Sequence, residues 1–212
     1  MAAVYGGHYP YFERKNLLRR VPIDPKYAVP QVASFSCVTM FREPIERVES
    51  CYYFRFLNRG LAKNFKCMNN ATVSSLESLL RTGVDGFGDG CLDEPFRIFS
   101  GVGDNAELEA ANDVTSPEFC IAMRYSMLAL SGCSLMVLGE PTSYAQAASA
   151  FPQVGSAFLS MPHANVGKSL KCELDELHVQ LLEQLTAGET VLYNAVQRRI
   201  AALETLRVSE SL

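Results

Sequence analysis

The strongest pattern along the chain is an apolar run followed at once by an amphipathic stretch. Residues 32–41 (VASFSCVTMF) are mostly apolar, β-branched or aromatic, which predicts a strand buried on both faces, as in a parallel sheet. Residues 43–57 repeat apolar positions at intervals of three and four, and Pro44 suits the first turn of a helix. A strand, a short turn and a helix form the first half of a βαβ unit.

The rest of the chain predicts one more strand and several helices. The second buried strand is expected at 133–139. Capping residues and apolar periodicity predict helices over 74–83, 116–132, 142–151, 173–185 and 189–207. This mixture belongs to the α/β class, although two strands are few for the sheet of such a domain.

Composition and charge indicate the number of domains and the kind of ligand. The chain has 212 residues, of which 48% are hydrophobic and 20% charged, as in one soluble globular domain spanning 1–212. Residues 1–66 carry 11 basic and 5 acidic side chains, whereas residues 67–212 carry 8 and 18. A basic segment on an acidic chain favours a local anionic ligand over nucleic acid, with a solvated basic face as the alternative.

The seven cysteines form no CxxC pair, and their odd number argues against a zinc ribbon and against a complete disulfide framework. Cys67 and Cys91 flank a polar, Gly-rich stretch, so they are the expected pair in an oxidising compartment. The cysteines within apolar runs are expected to be buried thiols; they are Cys37, Cys51, Cys120 and Cys133.

The turn after the first strand carries the most informative side chains. Arg42 follows the strand, at the edge where open α/β sheets bind ligands, and Ser50 lies two turns into the next helix. A guanidinium, a hydroxyl and a helix N-terminus can bind one anion together. The alternative is that Arg42 and Arg47 pair with Glu43 and Glu46 and only hold the turn.

The segment VTMFREPIERVESCYYFRF (38–56) resembles the 3′-phosphate-binding segment of the Golgi sulfotransferases that use 3′-phosphoadenosine 5′-phosphosulfate (PAPS). That family has an apolar strand followed by R-[DE]-P-x-x-R-x-x-S-x-Y-Y, and the wording here is most similar to the heparan sulfate and uronyl 2-O-sulfotransferases. The resemblance implies a P-loop-NTPase-like fold, a parallel sheet flanked by helices, and a 3′-phosphate held by Arg42 and Ser50 without a metal.

Weaker likenesses extend over the rest of the chain. The segment YGGHYPYF (5–12) resembles the family segment that carries the proposed catalytic base, which implies His8 as base, although Gly6 replaces its companion histidine. The segment PHANVGKS (162–169) looks like the loop that closes over the nucleotide, which implies Lys168 and Ser169 as further nucleotide ligands. A true Walker A loop is not expected there, because Pro162 stands where its first glycine would be.

The resemblance implies sulfuryl transfer from PAPS to a hydroxyl of an acidic polysaccharide, with the 2-O position of a uronic acid favoured. It implies a Golgi-lumen, type II membrane protein and leaves a homo-oligomer open. The family's 5′-phosphosulfate loop and membrane anchor have no counterpart in the sequence, so the fold is expected to be incomplete at its N-terminus and the chain alone inactive. The alternative is a non-catalytic protein that keeps only the 3′-phosphate-binding residues. The basic side chains expected to meet the polyanion are Arg14, Lys15, Arg19 and Arg20.

Overall fold

A computed structural model describes residues 37–54, 67–82, 90–100, 110, 112–152, 155–160 and 172–210. Its sheet consists of two adjacent parallel strands, β1 (Cys37–Phe41) and β2 (Cys133–Val137), with Cys37 opposite Cys133 and Phe41 opposite Val137. The backbone N–H of Leu138 donates to the carbonyl of Phe41, which extends the pairing beyond β2. Over these residues the chain is mostly helical with a small parallel sheet, in agreement with the α/β class.

Helices make up most of the described chain. In chain order they are α1 (Pro44–Tyr52), α2 (Val73–Thr82), α3 (Glu94–Phe99), α4 (Pro117–Ser131), α5 (Pro141–Ala150), α6 (Gly155–Leu159), α7 (Glu176–Leu185) and α8 (Ala187–Glu210), with a short 3₁₀ turn at Met68–Asn70. Within these described ranges, no helix combines the length and the apolar character that a membrane span requires.

Capping residues, prolines and apolar runs in the sequence predicted most of these helices and strands. Pro44 lies in the first turn of α1, and the Ser116 hydroxyl accepts a hydrogen bond from the backbone N–H of Phe119 at the start of α4, both as predicted. The prediction of a strand buried on both faces is wrong at Met40, whose side chain is exposed. Pairing with β2 covers one edge of β1 and not its faces, so the burial of each face depends on the elements packed over it. Helices α3 and α6 are not among those that capping residues and periodicity predicted.

Among the described residues, the buried side chains form two groups. The first surrounds the sheet and includes Phe41, Phe96 and Leu192. The second lies between α1, α2 and α7 and includes Val48 and Leu182. Helix α1 directly follows β1 of the first group, but its apolar side chains pack in the second group. Another side of α1 makes polar contacts, through Arg47.

Three disulfides connect distant parts of the chain. Cys37–Cys133 joins the two strands, Cys51–Cys91 joins α1 to the segment before α3, and Cys67–Cys172 joins the 3₁₀ turn to the segment before α7. The predicted Cys67–Cys91 pair is therefore wrong, because each of these cysteines lies next to a different partner.

The expectation of four buried thiols is also wrong. Cys37, Cys51 and Cys133 are disulfide-bonded, and Cys120 is a free thiol on the exposed side of α4. The apolar run around Cys120 misled the prediction, because α4 is apolar on its solvent side as well. Ile121 and Leu128 are exposed on that side.

This arrangement predicts the thiol chemistry of the oxidised protein. Maleimide labelling of the unfolded, non-reduced chain is expected to modify Cys120 alone, because the other six cysteines are in disulfides. Mass spectrometry of a non-reduced digest is expected to find the peptide pair that joins Cys51 to Cys91. A peptide pair that joins Cys67 to Cys91 would contradict the structure.

Candidate functional site

Arg42 is the first residue after β1, at the carboxyl edge of the parallel sheet. Its Nε donates a hydrogen bond to Glu46 Oε2 at 3.1 Å, one turn into α1. The Arg42 side chain is 28% exposed and that of Glu46 is 55% exposed, so this is a solvent-accessible ion pair. Exposed pairs of this kind contribute about 1 kcal/mol or less.

The N-terminus of α1 already carries a carboxylate of the chain itself. Glu43 precedes the helix, and its Oε2 accepts a hydrogen bond from the backbone N–H of Glu46 at 2.7 Å. A carboxylate at this position satisfies a first-turn N–H and interacts favourably with the positive end of the helix. An external anion at this helix terminus would have to compete with Glu43.

Ser50 lies on the same side of α1 as the Arg42–Glu46 pair. Glu46 and Ser50 are four residues apart in one helix, which makes them neighbours on one face. Ser50 is half-buried, and its hydroxyl makes no hydrogen bond to any residue that the structure describes. The structure therefore brings Arg42 and Ser50 to one face, with Glu46 between them. His8, Lys168 and Ser169 lie outside the described residues.

The neighbouring strand end adds acidic and aromatic groups to this edge. Gly139 follows β2 with a φ of 86°, and its N–H donates to the Tyr144 hydroxyl at 3.0 Å. Burial raises the pKa of Tyr193 on α8, and the carboxylates of Glu43, Glu140 and Glu46 raise it further. Among the described residues, these three carboxylates outnumber the one guanidinium group of Arg42.

Arg47 forms a buried ion cluster with residues of two other helices. Its Nη2 and Nε donate to the two carboxylate oxygens of Glu189 at 2.6 and 2.9 Å, and its Nη1 donates to Glu94 at 3.3 Å. Glu189 also accepts from the backbone N–H of Asp93 at 2.6 Å. We call Arg47, Asp93, Glu94 and Glu189 the ion cluster. It joins α1 to α3 and α8.

Burial and charge oppose each other within the ion cluster. The Glu189 side chain is 1% exposed and that of Arg47 is 15% exposed. Burial acts to lower the pKa of Arg47, but Glu189, Glu94 and Asp93 together hold it above its usual value. Because a bidentate pair satisfies both partners in a region that excludes water, the Arg47 guanidinium has little capacity left for a ligand.

The alternative interpretation, in which Arg42 and Arg47 pair with Glu43 and Glu46 to hold the turn, is confirmed for Arg42 and wrong for Arg47. Arg42 does pair with Glu46, as the turn-holding interpretation expected. Arg47 does not pair with Glu43 or Glu46 but with Glu189 and Glu94, which are 142 and 47 residues away. The sequence carried no signal for these partners, since a glutamate in the first turn of a helix is explained equally well by the helix dipole.

Two further results concern metal binding and the similarity to known proteins. In the part of the chain that the structure describes, no group of three or more His, Cys, Asp or Glu side chains is placed to hold a metal ion. Comparison of the chain with protein-family models, with curated proteins and with solved structures gives no match.

The two arginines of the turn predict very different effects on stability. Replacing Arg47 by Met is expected to cost about 3–5 kcal/mol, because Glu189 is left buried without its partner. The matched variant Arg42→Met is expected to cost about 1 kcal/mol or less, because its pair is exposed. Urea unfolding with the disulfides intact measures both values. Equal losses for the two variants would contradict this assignment.

Proposed function

We propose that this chain is part of a PAPS-dependent carbohydrate sulfotransferase and that Arg42 and Ser50 bind the 3′-phosphate of the nucleotide. The observation that carries the proposal is the position of Arg42. Arg42 follows a parallel strand, at the edge of the sheet where open α/β proteins bind ligands, and it shares a face of α1 with Ser50. The resemblance of residues 38–56 to the 3′-phosphate-binding segment of that family supports it. The P-loop-NTPase-like fold of the family is part of this proposal.

The relative strength of two contacts makes phosphate binding feasible at Arg42. The Arg42–Glu46 pair is exposed and contributes about 1 kcal/mol or less. A charge-assisted hydrogen bond from an arginine to a phosphate contributes about 1.5–3 kcal/mol. A dianionic phosphate can therefore displace Glu46 from Arg42, whereas it could not displace Glu189 from the buried Arg47.

The disulfides support the proposed compartment. Three disulfides in one domain of this size are typical of proteins that fold in an oxidising compartment. A Golgi-lumenal enzyme meets that condition. The proposed acceptor is a hydroxyl of an acidic polysaccharide, with the 2-O position of a uronic acid as first choice.

In the proposed reaction the acceptor hydroxyl oxygen attacks the sulfur of PAPS. The new O–S bond forms as the bond between sulfur and the bridging phosphate oxygen breaks, and adenosine 3′,5′-bisphosphate leaves. The hydroxyl proton passes to a general base, for which we propose His8 because imidazole titrates near neutral pH.

A non-catalytic nucleotide-binding protein is the second candidate. It is favoured by the sequence, in which no segment matches the 5′-phosphosulfate loop of the family. The two candidates share nucleotide binding and differ in transfer, so the measurements below separate them.

The first measurement is a titration with adenosine 3′,5′-bisphosphate. Arg42→Ala is expected to weaken binding about 10–100-fold, which corresponds to one lost charge-assisted contact. Glu46→Gln is expected to strengthen binding up to about fivefold, because it removes the competitor for Arg42 and one negative charge. Arg207→Ala, on the exposed end of α8, serves as the control and is expected to bind like the wild type. Unchanged affinity in both Arg42→Ala and Glu46→Gln would refute the phosphate site.

The second measurement concerns the proposed base. In a form of the protein that also carries a 5′-phosphosulfate-binding segment, His8→Ala is expected to lower turnover by about two to four orders of magnitude. Affinity for adenosine 3′,5′-bisphosphate is expected to stay unchanged, because the base contacts the acceptor and not the nucleotide. Arg207→Ala again serves as the control and is expected to keep its turnover. Wild-type turnover in His8→Ala would reject the base, and nucleotide binding without any transfer would favour the non-catalytic candidate.

A further inference from the structure

Asp93 is a buried carboxyl group with an unusual backbone and an unsatisfied oxygen. It precedes α3 in the left-handed conformation, with a φ of 60°, and only 4% of its surface is exposed. Its Oδ1 atom is buried and has no hydrogen-bond partner among the residues that the structure describes. An ionised carboxylate in this position lacks the donors that normally compensate for its burial.

The charges around Asp93 come from four helices. Arg47 on α1, Arg81 on α2 and Arg97 on α3 favour the ionised form of Asp93, while Glu189 on α8 opposes it. Two of these arginines already bind other carboxylates. Arg47 holds Glu189 and Glu94, and Arg81 binds Glu77 at 3.0 Å.

Among the described groups named here, the carboxylates outnumber the guanidinium groups by one. Glu77, Asp93, Glu94 and Glu189 supply four carboxylates, and Arg47, Arg81 and Arg97 supply three guanidinium groups. One bound proton makes this set neutral. Asp93 is the member whose carboxylate oxygen has no donor, so the proton costs least there.

We propose that Asp93 makes the ion cluster a pH-sensitive joint between α1, α3 and α8, which is tight when the Asp93 carboxyl is protonated and weakened when it ionises. Ionisation places a second buried negative charge next to Glu189, whose oxygen already accepts the backbone N–H of Asp93. The added repulsion acts on the contact that holds α8 to the start of α3.

The direction of the pH dependence follows from the same groups. Burial, and then the charge of Glu189, raises the pKa of Asp93 to about 7 from its ordinary 3.8. The folded protein therefore holds a proton that the unfolded chain releases above pH 3.8. This group contributes most stability below pH 3.8, and the contribution is lost as the pH rises to about 7.

Asp93→Asn tests the proposal in the intact chain. Asparagine has the same shape, tolerates the left-handed conformation and cannot ionise. Denaturant unfolding with disulfides intact is measured from pH 5 to 8. Relative to the variant, the unfolding constant of the wild type is expected to rise about tenfold per pH unit up to pH 7, or roughly 100-fold from pH 5 to 7. Asp113→Asn is the matched control, because Asp113 is exposed and its pKa is lowered by Thr115. Its profile over this range is expected to follow the wild type.

A second measurement covers the case in which Asp93→Asn does not fold. Carbon-13 NMR of the aspartate carboxyls in the wild-type protein is expected to find one that titrates between about pH 6 and 8. Titration of every aspartate below pH 5 would overturn the proposal. So would parallel stability profiles for the wild type and Asp93→Asn.

Discussion

The fold depends on the bidentate ion pair between Arg47 and Glu189. The Glu189 side chain is buried and that of Arg47 is mostly buried, and the pair joins α1 to the start of α8 across 142 residues of sequence. Removing two charges from water costs several kcal/mol each, so the pair adds little net stability but strongly disfavours any packing that separates the partners. Glu94 accepts a hydrogen bond from Arg47, and the backbone N–H of Asp93 donates to Glu189. These two contacts attach the start of α3 to the same ion pair.

This constraint determines where the candidate ligand site lies. A helix is stiff over two turns, so fixing Arg47 against α8 fixes the start of α1 as well. Arg42 and Glu43 are thereby held at the carboxyl edge of the sheet, beside Tyr193 of α8. The disulfide between Cys51 and Cys91 restrains the other end of α1, next to the segment that leads into Asp93. Helix α1 is thus attached near both ends to the same neighbouring segment.

A second set of contacts attaches α7 to the 3₁₀ turn. The Cys67–Cys172 disulfide is followed by hydrogen bonds from Asn69 Nδ2 to the carbonyl of Glu173 at 2.9 Å and from the N–H of Asp175 to Asn69 Oδ1 at 3.3 Å. Next, the buried His178 ring lies 3.0 Å from the carbonyl of Ala71 and 2.7 Å from Asp175. The hydrogen bond to His178 lowers the pKa of Asp175. Both ring nitrogens of His178 thus have hydrogen-bond partners within the protein.

The sequence predicted what depends on neighbours along the chain. The Ser116 cap, Pro44 in the first turn of α1 and the positions of the two apolar strands all follow from local chemistry and periodicity. It did not predict contacts between distant residues, such as Arg47 with Glu189 or Cys67 with Cys172. Asp93 shows the limit clearly. It precedes α3 with a positive φ, a conformation that tertiary packing imposes and that no local pattern of the sequence indicated.

The different surroundings of Arg42 and Arg47 also determine which anions the sheet edge can accept. Arg47 is saturated by two carboxylates in a buried region, so only Arg42 can exchange its partner. The partner to be displaced, Glu46, is a monoanion, and Glu43 occupies the nearby helix terminus with a second carboxylate. A monoanionic ligand would gain no charge advantage over Glu46 and would be repelled by Glu43. A terminal phosphate carries more charge and more acceptor oxygens than a carboxylate, so it gains more from the guanidinium and the Ser50 hydroxyl. Glu43 and Glu46 repel a dianion more strongly than a monoanion, so under the proposed function the contacts of the phosphate with Arg42 and Ser50 have to outweigh that repulsion.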